Sequence, residues 1–308
     1  MNIDIASIIS AVLGATGQGL LWAVLAIGIY ITFKILDIAD MTCDGSFALG
    51  ACVSVTLIVA GWNPVLSLLA SVFAGMMAGV VTGLLHTKLK IPAILSGILT
   101  MFALYSVNLR IMGQANKPLL KVDTIVTLIK DLIPDSIKDG ILDSTLSTYI
   151  NIGIGVLFGI LLLIALYWFF GTEIGSALRA TGNNEDMIRA LGQNTNRMKI
   201  LGLLLSNGLI ALSGALVAQS QGYADITIGQ GSIVIGLASI VIGEVILGRR
   251  ISFATKIISV ILGSVIYRII IAVILQLGLN TDYQKLLTAL IVAASLSIPV
   301  LKKARRVR

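Results

Sequence analysis

The sequence predicts an all-α fold: a polytopic membrane helix bundle of about nine spans, some of them broken helices, in two halves of inverted topology. Three observations point there. Only 12% of the 308 residues are charged and 57% are hydrophobic, whereas a soluble domain carries about 25% charged residues. The mean hydropathy is +0.99, carried by runs close to the roughly 20 apolar residues that a spanning helix needs. Glycine is frequent, with 31 residues, which suits helices that approach closely inside a membrane bundle.

The runs that meet this length fall at about 17–36, 44–60, 64–86, 91–112, 148–170, 199–221, 231–248, 254–277 and 283–301. The opening MNIDIASIIS has no basic stretch, so the first span is expected to act as its own insertion signal rather than as a cleaved leader. Lysine and arginine set the orientation. With the tail KKARRVR in the cytoplasm, fifteen of the 22 basic residues fall on that side and six on the other, with Arg268 inside a span. The N-terminus is then expected outside. The net charge of +7 is therefore a topological signal, and no nucleic-acid partner is inferred from it. The whole chain, 1–308, is expected to form one transmembrane domain. Its first half covers about 17–170, a short cytoplasmic helix about 183–192, and its second half about 199–301.

The longest loop, 113–147, falls outside and holds four lysines and five aspartates. Val122, Ile125, Val126, Ile129, Leu132 and Ile133 recur at helical spacing. This predicts a helix lying on the outer surface of the bundle, or alternatively a docking surface or lid. The repeat is carried by ADMTCDGSFALGA at 39–51 and ADITIGQGSIVIGLA at 224–238. Each has Ala-Asp-apolar-Thr, then Gly-Ser, then an apolar run. The span before Asp40 runs inward and the span before Asp225 outward. Inverted halves with broken helices at their interface are a recurrent transporter design.

Several chemistries are poorly supported. There is no GxxxxGK[ST] motif and no Gly-Lys dipeptide, so no phosphate loop of that kind is expected. One histidine, His86, and two cysteines, Cys43 and Cys52, offer no metal set and no Ser-His pair. His86 is expected at the interface, and the cysteines as small buried hydrophobes. Charges at membrane depth usually face a cavity or a partner. DIADMTCDGSF brings Asp37, Asp40, Thr42, Asp44, Ser46 and Phe47 together. It is either a cytoplasmic turn of solvated acids or a broken helix lining a path, with Thr227, Gln230 and Ser232 as its counterpart. Asn108 is expected near the outer end of the fourth span. Glu244 is expected near the inner face, within reach of Lys256. Arg268 is expected at a different depth, about 20 Å along its helix.

Residues 179–197, RATGNNEDMIRALGQNTNR, interrupt the oily chain. Asn183 or Asn184 is a good N-cap, Glu185 and Asp186 suit a first turn, and Gly192 is placed to stop the helix. Met187, Ile188 and Leu191 form an apolar patch. A helix of about two turns is unstable alone, so it leans on something. The patch fits a soluble partner's groove or, alternatively, the helix folds against its own bundle.

The segment from Thr172 to Gly222 resembles the second half of permeases of branched-chain amino acid and ribose importers of the ATP-binding-cassette type. The resemblance is carried by Gly175, Arg179, Ala180, Gly182, Asn184, Leu191 and Gly192, then Ser213, Gly214 and Ala215. The N-terminal GLLWAVLAIGIYITFKILDIADMTCDGSFALGA and the internal HTKLKIPAILSGILTMFALYSVNLRIMG resemble a subgroup encoded beside a lipoprotein-like binding protein and an ATPase, some associated with aromatic amino acids. The resemblance implies a bacterial cytoplasmic-membrane permease working as two copies with two ATPase chains, which would carry the ATP and magnesium. It also implies that the short helix couples to the ATPase through Gly175, Arg179, Gly182, Asn184, Glu185, Met187, Ile188, Leu191 and Gly192. The chain departs from the family at Thr42 to Phe47, where branched-chain relatives have an Asn-Phe-Ala-His-Gly-like run. Substrate identity therefore does not transfer. A self-sufficient ion-coupled secondary transporter, a membrane enzyme and a non-transporting anchor are the alternatives.

Overall fold

A computed structural model describes residues 5–120, 122–134, 143–248, 252–276, 283, 286–293 and 297. Eleven helices are bounded within them: α1 Ile5–Tyr30, α2 Cys43–Val59, α3 Pro64–Thr87, α4 Ala93–Met112, α5 Ile125–Leu132, α6 Asp143–Gly171, α7 Glu173–Asn183, α8 Glu185–Ala190, α9 Thr195–Gln221, α10 Ser232–Leu247 and α11 Phe253–Gln276. Strands β1 (Asn116–Pro118) and β2 (Tyr223–Asp225) pair antiparallel, with Asn116 opposite Asp225 and Pro118 opposite Tyr223. The chain is an all-α multi-pass membrane bundle with one small ribbon.

Among the described residues six helices, α1, α3, α4, α6, α9 and α11, are long and apolar enough to cross a membrane. The count of nine is not reproduced. The predicted spans at 44–60 and 231–248 are α2 and α10, of 17 and 16 residues. At 1.5 Å per residue each is about 25 Å long, short of the roughly 30 Å hydrocarbon core. Of the ninth, 283–301, residues 284, 285, 294–296 and 298–301 lie outside the described residues. The first span starts well before residue 17, because α1 begins at Ile5. It ends in a π-helical turn, Ile31–Ile35, and the chain breaks direction at Asp37, which takes a positive φ of 55°.

α9 runs through the centre, buried along most of its length. Serine hydroxyls tie it to α1: Ser206 Oγ donates to the Gly28 carbonyl and Ser213 Oγ to the Leu21 carbonyl, each at 2.8 Å. Contact is closest where glycine removes the side chain. A Cβ on Gly50 of α2 would collide with the backbone of Ala211 on α9, and one on Gly263 of α11 with the backbone of Ser239 on α10. α3 packs along α9 as α11 packs along α1, and α2 contacts α3 as α10 contacts α11. Large apolar side chains on α3, α4 and α6, such as Leu69, Phe73, Phe102, Leu157 and Trp168, are exposed. A soluble protein rarely shows so extensive an apolar surface, and a bilayer covers it.

One end of the bundle carries Lys34, the α3–α4 turn and α8, here called the basic face. The ribbon lies at the other end. There the predicted loop helix is α5, shorter than the pattern of 122–133 suggested. Thr124 caps it in a reciprocal capping box. The Gln219 side chain of α9 receives the Ile125 amide at 3.0 Å and donates to Ser54, Ser67 and the Pro64 carbonyl. α5 is thus tied to the bundle by a buried glutamine and by Ile125, Val126 and Ile129, which pack on the core.

Candidate functional site

The two repeat motifs fold alike and meet. Asp40 and Asp225 each accept the backbone amide two residues on, from Thr42 at 2.9 Å and Thr227 at 2.7 Å. Each turn leads into a short helix. A Cβ on Gly229 would strike the Asp44 carbonyl, so the starts of α2 and α10 touch inside the bundle. Asp44 lies in the first turn of α2 and also caps α10, accepting from the amides of Gly231 at 2.9 Å and Ile233 at 3.1 Å and from Ser232 Oγ at 2.8 Å. One carboxylate therefore serves two helix N-termini, where the dipoles favour negative charge.

Around this junction most of the polar groups bond to one another, although Asn108 Oδ1 is buried without a partner. Asn207 of α9 donates to the buried Asp40 carboxylate at 2.7 Å and accepts from Ser46 at 2.6 Å. Thr42, Thr82 and Thr100 form a chain at 2.7 and 3.0 Å. Asn108 Nδ2 donates to the Gly45 carbonyl at 3.3 Å. Phe47 is fully buried against Trp22, with ring centroids 4.7 Å apart. Of the three acids only Asp37 is exposed, so the alternative of a turn of three solvated acids is not reproduced. Asp40 is 2% exposed. Of the expected path residues, Asp40, Thr42, Ser46, Phe47, Asn108 and Ser232 are buried, and Thr227 and Gln230 are exposed. Sequence reasoning did not find Asn207, because its partners lie more than 160 positions away. Cys43 and Cys52 are buried free thiols.

The short polar helix is α8. Asn184 is its cap, accepting from the Met187 amide at 3.0 Å. Gly192, at φ +84°, closes it: its amide reaches the Arg189 carbonyl, and the Gln193 amide reaches Ile188. This pair of bonds is a Schellman stop. The helix has six residues, not about ten, because a separate helix, α7, ends at Asn183. The expected patch of three divides. Met187 and Leu191 are 48% and 70% exposed, but Ile188 is 6% exposed. Adjacent residues on a helix point about 100° apart, so only the i, i+4 pair shares the outer face. Ile188 faces the bundle.

Gly175, Arg179 and Gly182 lie on α7 rather than on α8, and seat α7 against the bundle. A side chain on Gly175 would strike the Phe169 carbonyl, and one on Gly182 the Ile35 carbonyl. Arg179 donates to the Phe170 carbonyl at 2.8 Å and lies 5.9 Å from the Phe253 ring centroid. Glu185 braces α8 to α9 through Lys199 at 2.6 Å and Thr195 at 3.0 Å, and pairs within α8 with Arg189 at 2.9 Å. The Lys199 hydrogen bond foremost holds its carboxyl below the usual range. α8 and the α3–α4 turn flank an open groove of about 770 Å³, lined by His86, Lys90, Glu185, Arg189 and Lys199 among others. His86 Nδ1 lies 2.9 Å from the Ile91 carbonyl. Glu244 pairs with Lys34 at 3.1 Å rather than with Lys256. Lys34 lies in the π-helical turn at the end of α1 and Glu244 on α10.

A multi-pass bundle with two short helices meeting in a polar interior, and a braced helix at one end, is the architecture of a membrane transport subunit. The chain belongs to the family of permease components of the branched-chain amino acid transport system, whose profile matches residues 11–296. It is 39% identical to a "Tyrosine transport system permease protein" of Clostridioides difficile (strain R20291), over 94% of this chain and 91% of that one. It is 32% identical to an uncharacterised protein of Rickettsia prowazekii (strain Madrid E), over 92% of this chain and 95% of that one. Among solved structures, PsaBC from Streptococcus pneumoniae in complex with Fab matches with a TM-score of 0.38 and 16% identity, over 87% of this chain and 95% of that one.

Proposed function

We propose that this chain is the transmembrane subunit of an ATP-driven importer that moves an amino acid into a bacterial cytoplasm. Two copies form the path as a homodimer. Two separate ATPase chains hold the ATP and magnesium, and an extracytoplasmic lipoprotein delivers the solute. The basic face is cytoplasmic and the N-terminus lies outside. The halves 17–170 and 199–301 are inverted repeats, a reading supported by the paired turns at Asp40 and Asp225. An aromatic amino acid is the preferred solute, supported by the tyrosine system of the Clostridioides difficile relative. The exposed side chains of Thr227 and Gln230 lie on irregular backbone beside α2. Such backbone is tolerated at membrane depth only against protein or a water-filled cavity, which supports a path shared with the second copy.

The observation that carries the proposal is the pair Met187 and Leu191, exposed on a helix otherwise locked in place. Anchored from behind by Ile188 and braced by Glu185, the pair forms a rigid apolar knob of the kind that enters a partner's groove. ATP-driven closure of the ATPases would push this knob and tilt one half against the other. Leu191→Asp or Met187→Asp is expected to reduce ATPase co-purification at least tenfold, with membrane insertion intact. Unchanged association would refute the assignment. Ion-driven uptake by this chain alone in proteoliposomes would favour a self-sufficient secondary transporter instead.

A further inference from the structure

Arg268 lies on α11, about 22 Å along the helix from Phe253 at 1.5 Å per residue. Its guanidinium carbon is 4.1 Å from the Trp22 ring centroid. Its Nε is buried without a hydrogen-bond partner, and so is Trp22 Nε1. Trp22 itself is 6% exposed. A cation inside a membrane helix is costly and is retained where it meets a cavity or a ligand. Among the described residues no acid pairs with Arg268, and the acids of the junction and Glu244 are engaged elsewhere. Asp40 is taken by Asn207 and Thr42, and Asp44 by three donors of α10. Asp225 is taken by Thr227, and Glu244 by Lys34. One turn before Trp22 on α1, Gln18 Oε1 is a buried acceptor with no donor. Phe47 packs on the Trp22 ring.

We propose that Arg268 and Trp22 form a recognition site inside the bundle for the carboxylate of an α-amino acid in transit. The guanidinium fork accommodates a carboxylate in bidentate geometry, and Trp22 Nε1 adds a third donor. Gln18 Oε1 is left to receive the ammonium group, one helical turn away. Two orphaned donors and an orphaned acceptor match a zwitterion better than a bare anion. A lipid phosphate shares the anion chemistry and is the competing source.

This inference rests on the amino-acid reading above, so the experiment separates the two. The complete importer, with its ATPase and saturating binding protein, is reconstituted in vesicles and offered each of the twenty radiolabelled L-amino acids. The readout is solute moved per ATP hydrolysed, a ratio that general loss of folded complex does not move. Arg268→Gln is expected to lower the ratio at least tenfold and Arg268→Lys less. Trp22→Phe, which keeps a ring and removes the donor, is expected to lower it several-fold. It carries the test if Arg268→Gln does not assemble. Unchanged ratios overturn the proposal. A wild-type complex that moves none of the twenty overturns the amino-acid reading instead, and this site with it. The loss should persist in pure phosphatidylcholine. A loss confined to vesicles containing phosphatidylglycerol assigns Arg268 to a lipid headgroup and overturns the solute site.

Discussion

The junction of α2 and α10 and the short helix α8 are both polar islands in an oily chain, but they use polarity in opposite ways. At the junction the polar groups face inward and bond to one another, so that Asp40, Asn207 and Ser46 form one buried unit. At α8 the polar groups bond inward to hold the helix, and two apolar side chains are left facing out. A polar residue in a membrane bundle is thus first a structural element. The part free to meet another molecule at α8 is the apolar pair that this bonding leaves uncovered, and in the interior the proposed counterpart is the pair Arg268 and Trp22, whose Nε and Nε1 are buried but unbonded.

The largest effect should come from cutting the junction at its hub. Asn207→Leu leaves the Asp40 carboxylate with only its Thr42 contacts and removes the acceptor for Ser46. Breaking a buried network on one side costs about 3–5 kcal/mol. The expected outcome is a fall in the unfolding midpoint of the purified protein in detergent well beyond that of any surface change. A loss under about 0.5 kcal/mol, the usual scale of surface changes, would mean that the junction is not the structural unit described.

The next effect contrasts two neighbours on one helix. Ile188→Asp buries a carboxylate beneath α8 and should undock it, costing about 2–4 kcal/mol locally. Leu191→Asp places the same group in water and should leave stability within about 0.5 kcal/mol. Hydrogen exchange of the amides from Met187 to Gln193 separates them: fast in the first variant, native-like in the second. Equal exchange in both would erase the distinction between inner and outer faces.

This contrast also marks what the sequence made legible. A cap at Asn183 or Asn184, the stop at Gly192 and the limits of most helices follow from local residue chemistry and were predictable, although the choice of Asn184 was not. The existence of α7, the inward face of Ile188, the Glu244–Lys34 pair and the capping of α10 by Asp44 were not. Each depends on which distant element lies opposite, and periodicity reports a face without its neighbour. The Asp44 bonds span 187 to 189 positions and the Lys34 bond 210. The repeat was the one long-range signal available. It identified the two motifs that meet, but not that one motif's carboxylate would complete the other's helix.

A smaller effect tests that completion. Asp44→Asn keeps the size but loses the charge at two helix N-termini, and turns an amide toward backbone donors. Loss of a good cap costs about 1 kcal/mol. The expected signature is a modest fall in the unfolding midpoint, with exchange of the Gly231 and Ile233 amides raised more than that of α9. Uniform acceleration throughout would place the role of Asp44 elsewhere.

The smallest effect concerns pH and belongs to α8. Glu185 is held ionised below the usual carboxylate range, first by Lys199, with Thr195 and Arg189 adding to it. Its folded-state value is depressed, so its contribution is fully present above the ordinary glutamate range near pH 4.3. That contribution is lost as the pH falls through the lower folded value. The group is partly solvated, so the brace contributes no more than about 1 kcal/mol. Glu185→Gln at neutral pH should imitate the acid state and speed exchange of the α8 amides a few-fold, while the junction amides stay protected. High salt should narrow the gap between wild type and variant, because screening weakens an exposed pair. If the variant exchanged like wild type, α8 would be held by Ile188 and its caps alone, and the firmness of the knob would be an apolar effect.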